Sequence, residues 1–153
     1  RMAKEKEIKT NAMRILDKKK IPYDLLQYEC DEFIDGLHTA QKTGVPLEQS
    51  FKTLVLQGKS RQYYVFVLPV AQEVRLKEAA RLVGEKSLDI TAVTGYVRGG
   101  CSPLGMKKQY PVFLHKSALD YEKIYISGGR IGTTLSLAAQ DLLAVTGGRV
   151  GEF

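Results

Sequence analysis

The chain has 153 residues, 44% hydrophobic and 26% charged, with 14 glycines, 5 prolines and 2 cysteines. This composition excludes disordered, collagen-like and low-complexity polypeptides and leaves a globular domain able to bury roughly two-thirds of its unfolded surface. The net charge of +6 divides as +3 in each half, 13 basic against 10 acidic residues through residue 76 and 10 against 7 after it, so there is no basic tail, and the excess fits a polyanion such as RNA without requiring one.

Cys30 and Cys101 lie 71 positions apart outside any paired-cysteine motif, which argues against a disulfide scaffold or zinc knuckle and for a reducing cytosol. Arg1 precedes Met2 and is set aside, leaving residues 2–153 as one expected domain. The opening segment is rich in lysine but lacks the apolar core of a signal peptide, and apolar runs such as Val65 to Leu68 fall far short of the ~20 residues that span a bilayer. A soluble, cytoplasmic chain with no membrane partner is expected.

From Asn11, the expected cap, the apolar residues Ala12, Ile15 and Leu16 recur at helical spacing, Lys18, Lys19 and Lys20 suit a helix C-terminus, and Pro22 stops the helix. The lysine run reads as a solvated last turn or as an RNA patch. Tyr23 to Tyr28 reads as a strand, and His38 to Thr43 as a short helix ended by Gly44. Phe51 to Gln57 and Gln62 to Leu68 are stronger strands, joined by Gly58-Lys59-Ser60-Arg61 as an antiparallel hairpin. Leu76, Ala79, Ala80 and Val83 predict a helix closed by Gly84, and Asp89 is expected to cap another running to Gly95. Val112 to His115 and Lys123 to Ile126 read as strands, and a last helix is predicted over Leu137 to Val145 after Ser136 as cap. Strands cluster in the middle without regular strand–helix alternation, which predicts an α+β domain.

Three segments are candidates for chemistry. In the strand beginning Phe51-Lys52-Thr53-Leu54, alternation places Lys52 on the face of Leu54 and Leu56. Such an ammonium either snorkels from the strand end or meets an anionic or polarised ligand. Gly99-Gly100-Cys101-Ser102-Pro103-Leu104-Gly105 allows close backbone approach and free amides that can hold an oxyanion, although a tight structural turn uses the same residues. Ser127-Gly128-Gly129-Arg130-Ile131-Gly132, followed by Thr133-Thr134, matches no nucleotide-cofactor fingerprint, yet its amides, hydroxyl and guanidinium suit a sugar or phosphate as well as a plain turn. His38 and His115 show no ligand spacing with the cysteines, so no metal site is expected, and Cys101, with no assignable base, reads as a packing residue.

Together the three segments, in this order and spacing, resemble the signature segments of the YbaK/EbsC family of free-standing aminoacyl-tRNA deacylases, related to the editing domain of bacterial prolyl-tRNA synthetase. The similarity runs from about Lys9 to about Val145. It implies a single α+β domain with a mixed, partly barrel-like sheet surrounded by helices. It also implies hydrolysis in trans of mischarged aminoacyl-tRNA, most often cysteine on tRNA for proline, with no cofactor and with prolyl-tRNA synthetase as a further partner. Carried onto this sequence, the resemblance maps the family's functional residues to Lys52, Gly99, Ser127 and Tyr28. With the neighbouring groups of the three segments, catalysis is expected from Lys52, Gly99 and Gly100, and substrate contacts from Tyr28, Thr53, Ser102, Ser127, Gly128, Arg130 and Thr134. Thr134 stands where related members often carry an aspartate, which keeps open a deacylase for another small amino acid such as alanine. A non-catalytic tRNA- or synthetase-binding module is the alternative from another class. In the family scheme the substrate's own thiol attacks the ester, so positioning and polarisation suffice without a protein nucleophile.

Overall fold

The computed structural model describes residues 9–28, 40–41, 43–91 and 101–153. Helix α1 (Asn11–Lys18) starts where the Thr10 hydroxyl accepts the Met13 N–H at 3.3 Å, and it buries Ala12, Met13 and Leu16. It leads into β1 (Asp24–Gln27). Of the predicted 38–43 helix, Ala40, Gln41 and Thr43 are helical, and the Gly44 N–H closes that turn on the Ala40 carbonyl at 2.9 Å; the rest of that segment lies outside the described residues. The expected hairpin is present: β2 (Phe51–Gly58) pairs antiparallel with β3 (Tyr63–Pro69), from Phe51 opposite Pro69 to Gln57 opposite Tyr63. Helix α2 (Leu76–Val83) follows, with Gly84 as its C-cap.

Three expectations are corrected beyond this point. The segment around Asp89 is not a helix start: Leu88–Thr91 forms β4, antiparallel to β2, because Ile90 and Thr91 gain ladder hydrogen bonds against an already formed strand. After β5 (Val112–His115) and β6 (Ile124–Ser127), residues Thr133–Leu137 form β7, so Ser136 lies within a strand and caps nothing. Helix α3 (Ala139–Thr146) begins after Ala138 instead, and Arg149–Gly151 adds β8, which the sequence reading lacked. A three-residue strand carries too little pattern to be read alone, and β8 exists because β5 offers it a parallel edge.

The strands form two sheets: a three-stranded antiparallel one in the order β1-β7-β6, and a five-stranded mixed one in the order β4-β2-β3-β5-β8. The sheets are joined by one isolated parallel bridge between Ser50 and Tyr125, where β6 meets the start of β2 that β4 leaves unpaired, and no closed barrel forms among the described residues. The larger core lies between the sheets, where Phe51, Val55, Val67 and Leu114 meet Ile124, Ile126, Leu135 and Leu137, with α1 and α3 at its margins. The second core lies on the other face of the five-stranded sheet, where Leu56, Phe66 and Leu68 pack against Ala79 and Ala80 of α2 and against Phe153. Covered on both faces, β3 is apolar nearly throughout, as a central strand must be. Phe66 stacks on Phe113 at 5.1 Å and meets Phe153 edge-on at 4.8 Å, which ties Phe153 to the sheet.

Candidate active site

Strand alternation divides β2. Phe51, Thr53 and Val55 share the side that faces the inter-sheet core, whereas Lys52 begins the opposite stripe with Leu54 and Leu56. β6 divides in the same way, with Ile124 and Ile126 inward and Tyr125 and Ser127 outward. The Ser50–Tyr125 bridge is parallel and the two strands remain in contact, so the two-residue period carries Lys52 and Ser127 onto the same outward side. Ser127 lies opposite Thr134, which in turn lies opposite Leu26 of β1. One position beyond β1, the Tyr28 N–H continues the pairing by donating to the Gly132 carbonyl at 3.0 Å, and alternation gives Tyr28 the face of Leu26 and Thr134. Four of the expected residues, Lys52, Ser127, Thr134 and Tyr28, thus share one side although they come from four different strands or strand ends.

The middle of that side is polar and buried, with Thr134 6% exposed and Ser136 2%, while Lys52, Tyr28, Tyr125 and Ser127 around it are half-buried. Tyr125 and Ser136 extend it, and the sequence marks neither as a site residue; the alternating Thr133-Thr134-Leu135-Ser136-Leu137 pattern is the available signal, masked by its apparent continuation into a helix with Ser136 as cap.

The loop after Ser127 is held by its own hydrogen bonds. The Ser127 hydroxyl accepts from the Gly129 N–H at 3.2 Å, the Gly128 N–H donates to the Thr133 carbonyl at 2.8 Å, and the Thr10 hydroxyl donates to the Gly128 carbonyl at 2.6 Å. Arg130 donates through Nε to the Thr133 hydroxyl at 3.3 Å, and Thr133 lies on the opposite face from Thr134, so Arg130 is turned toward its own loop.

The second segment reaches the same end of α1. Gly105, at φ +79°, lies so close to that helix that a Cβ there would sit 2.7 Å from the Asn11 Cβ and 2.9 Å from the Ala12 nitrogen. Ser102 is 1% exposed, and its hydroxyl accepts the Leu104 N–H at 3.2 Å, so it shapes the loop from within. Burial pushes the Cys101 thiol up to about 11, which leaves almost no thiolate at neutral pH and fits a packing role. Gly99 and Gly100 lie outside the described residues. Thr53 is separated from Lys52 by the alternation of β2, and its buried hydroxyl has no hydrogen-bond partner among the described residues.

An α+β domain with a half-buried face that collects a lysine, a tyrosine and two hydroxyl residues beside amide-rich loops can polarise an acyl group without a protein nucleophile. Comparison with known proteins assigns the class more narrowly: the family model of the aminoacyl-tRNA editing domain matches residues 37–145, and the chain belongs to that family. It is 39% identical, over 99% of its length and 97% of the relative's, to EbsC of Enterococcus faecalis, a protein named as a Cys-tRNA(Pro)/Cys-tRNA(Cys) deacylase. Among solved structures, one named as a trans-editing enzyme for prolyl-tRNA synthetase superposes with a TM-score of 0.79 at 24% identity, covering 95% of this chain and 98% of that one. A protein described only as hypothetical superposes with a TM-score of 0.85 at 20% identity, covering 94% and 98%. These two likenesses establish the fold.

Proposed function

We propose that residues 2–153 act as one trans-editing unit that hydrolyses the ester of mischarged aminoacyl-tRNA in the cytosol, with cysteine on tRNA for proline as the principal substrate. The reading is supported by membership of the editing-domain family and by the naming of the EbsC relative as a Cys-tRNA(Pro)/Cys-tRNA(Cys) deacylase. The observation that carries it is the parallel Ser50–Tyr125 bridge, which sets Lys52 on the side of Ser127 and Thr134.

In this mechanism the Lys52 ammonium, with the amides of Gly99 and Gly100, stabilises the oxyanion that forms as the substrate's thiol attacks the ester carbonyl. The carbonyl–oxygen ester bond then breaks, and the terminal ribose hydroxyl leaves carrying the proton the thiol has lost. Water hydrolyses the resulting thioester to release the free amino acid. Tyr28, Ser127 and Thr134 line the site that receives the acyl group and terminal adenosine, and the backbone of Gly128 fixes the loop that presents Ser127. Prolyl-tRNA synthetase supplies the mischarged tRNA and is the natural protein partner.

Incubation of the purified protein with Cys-tRNA(Pro) tests this proposal. Lys52→Ala is expected to lower the deacylation rate about 100-fold or more, the scale on which loss of one oxyanion donor acts. Equal rates for the two proteins would remove Lys52 from the mechanism. Binding of tRNA by the wild type with no turnover on any mischarged tRNA would instead identify a non-catalytic module.

A second substrate reading rests on Thr134. At 6% exposure, a carboxylate in its place would be an expensive buried charge, whereas the threonine leaves a neutral wall beside Ser127. A neutral wall fits a small apolar side chain such as alanine as a further substrate. Its ester carries no thiol, so water attacks the polarised carbonyl directly and the alkoxide of the ribose leaves with the water's proton. Rates on cysteinyl, alanyl and prolyl esters of the same tRNA rank the three.

A further inference from the structure

The lysine run at the end of α1 has no part in the chemistry above, yet it is not a merely solvated turn. Lys18 and Lys19 border a groove of about 410 Å³ together with Lys108, while Val65, Leu104 and Tyr110 are among its apolar lining. All three lysines are exposed, and among the described residues none of them makes an ion pair. None of the residues lining the groove is acidic. A protein surface with three free cations around an apolar floor attracts a ligand that carries phosphates and a flat apolar body, which is the chemistry of a nucleotide chain.

The groove is coupled to the candidate site by two elements. Pro103, Leu104 and Gly105 belong to the second glycine segment and also line the groove, and α1 touches the Gly128 carbonyl through Thr10 at one end while offering its lysines at the other. The eight residues of α1 span ~12 Å, a distance that a few nucleotides of single strand bridge. A chain whose aminoacylated 3′ end lies at the glycine loops therefore brings the phosphates of its preceding few nucleotides to Lys18, Lys19 and Lys108.

We infer that this groove is the subsite for the single-stranded nucleotides upstream of the terminal adenosine, with the lysines holding phosphates and the apolar floor receiving a base. The inference rests on the tRNA substrate proposed above and specifies where its 3′ tail lies.

The test compares wild type with the triple variant Lys18→Ala, Lys19→Ala, Lys108→Ala, whose exposed positions leave the core untouched. The first readout is equilibrium binding of uncharged tRNA over a series of salt concentrations, which needs no turnover. The variant is expected to bind at least about tenfold more weakly at low salt, with a slope of log affinity against log salt reduced by about 2, the share of three phosphate contacts on a single strand. The second readout is deacylation of full-length aminoacyl-tRNA against a 3′-aminoacyl adenosine that lacks upstream phosphates: kcat/KM falls on the former, through KM, and stays within twofold on the latter.

Unchanged affinity and slope would overturn the inference, as would equal losses on both substrates. Should wild type bind tRNA with lysine-dependent salt sensitivity but deacylate no mischarged tRNA, the groove would stand and the catalytic proposal would fail.

Discussion

The two glycine loops meet the same end of α1, but they are fixed by different forces. The 127–132 loop is held by hydrogen bonds: Thr10 to the Gly128 carbonyl, Gly129 to the Ser127 hydroxyl, Arg130 to Thr133 and Tyr28 to Gly132. The 101–105 loop is held by packing, with Ser102 and Leu104 buried, Cys101 against the inter-sheet core and Gly105 pressed onto the backbone of α1. Each bond removed from the first loop costs about 0.5–1.5 kcal/mol. Its closest contact, a Gly128 Cβ at 2.5 Å from the Thr133 Cγ2, falls on a side chain, whereas that of Gly105 falls on the start of a helix, which has less room to give. The first therefore suits a segment that must present a hydroxyl, and the second suits one that must hold a fixed backbone near a ligand.

The largest effect on this contrast is expected from Gly105→Ala. The new Cβ collides with the Asn11 Cβ and the Ala12 nitrogen, and its positive φ adds about 1–2 kcal/mol for a side chain. A total loss of about 2–4 kcal/mol is expected by urea denaturation. A loss under about 1 kcal/mol would show that the 101–105 loop yields as its partner does.

Next comes Thr10→Ala, which removes both the cap on α1 and the donor to Gly128, for about 1–2 kcal/mol. Thr10→Ser keeps both bonds and should recover most of that loss, and failure to do so would mean that packing, not hydrogen bonding, fixes the second loop as well.

The smallest effect is that of Cys101→Ala, about 1 kcal/mol at neutral pH with unchanged deacylation. Its sharper signature lies in pH. Burial raises the thiol's pKa from 9.0 to about 11, so the thiol's contribution is complete below pH 9 and is lost as pH rises toward 11, where the unfolded chain has already released its proton. The stability gap between wild type and Cys101→Ala should therefore narrow across that interval. A gap independent of pH would place the thiol in water.

The elements legible in the sequence were those whose signals are local and strong. The 3.6-residue pattern of α1, the long β2–β3 hairpin and the Gly84 stop of α2 stand as read, whereas the cap of α1 is Thr10 and Asn11, the expected cap, is its first helical residue. The stretches that the structure reassigns are short and ambiguous: in Leu88–Thr91 the residue Asp89 doubles as a helix cap, and Thr133–Leu137 runs directly into a real helix. In both, a neighbouring strand supplied the hydrogen bonds that decided the outcome. Thr53 and Ser102 show the same limit for the site, since motif membership does not say which way a side chain faces.

Sequence by itself determined what each segment is able to do. It established an α+β chain, the apolar stripe interrupted by Lys52, glycines where backbone must pass closely, and an even spread of positive charge, because these depend on residue type and on periods of two or 3.6. Tertiary structure alone decided which segments meet. The bridge between Ser50 and Tyr125 joins residues 75 positions apart, and Gly105 finds α1 across more than 90. Such pairings are selected by the burial of two whole sheets around one core, a quantity that no local stretch of sequence contains.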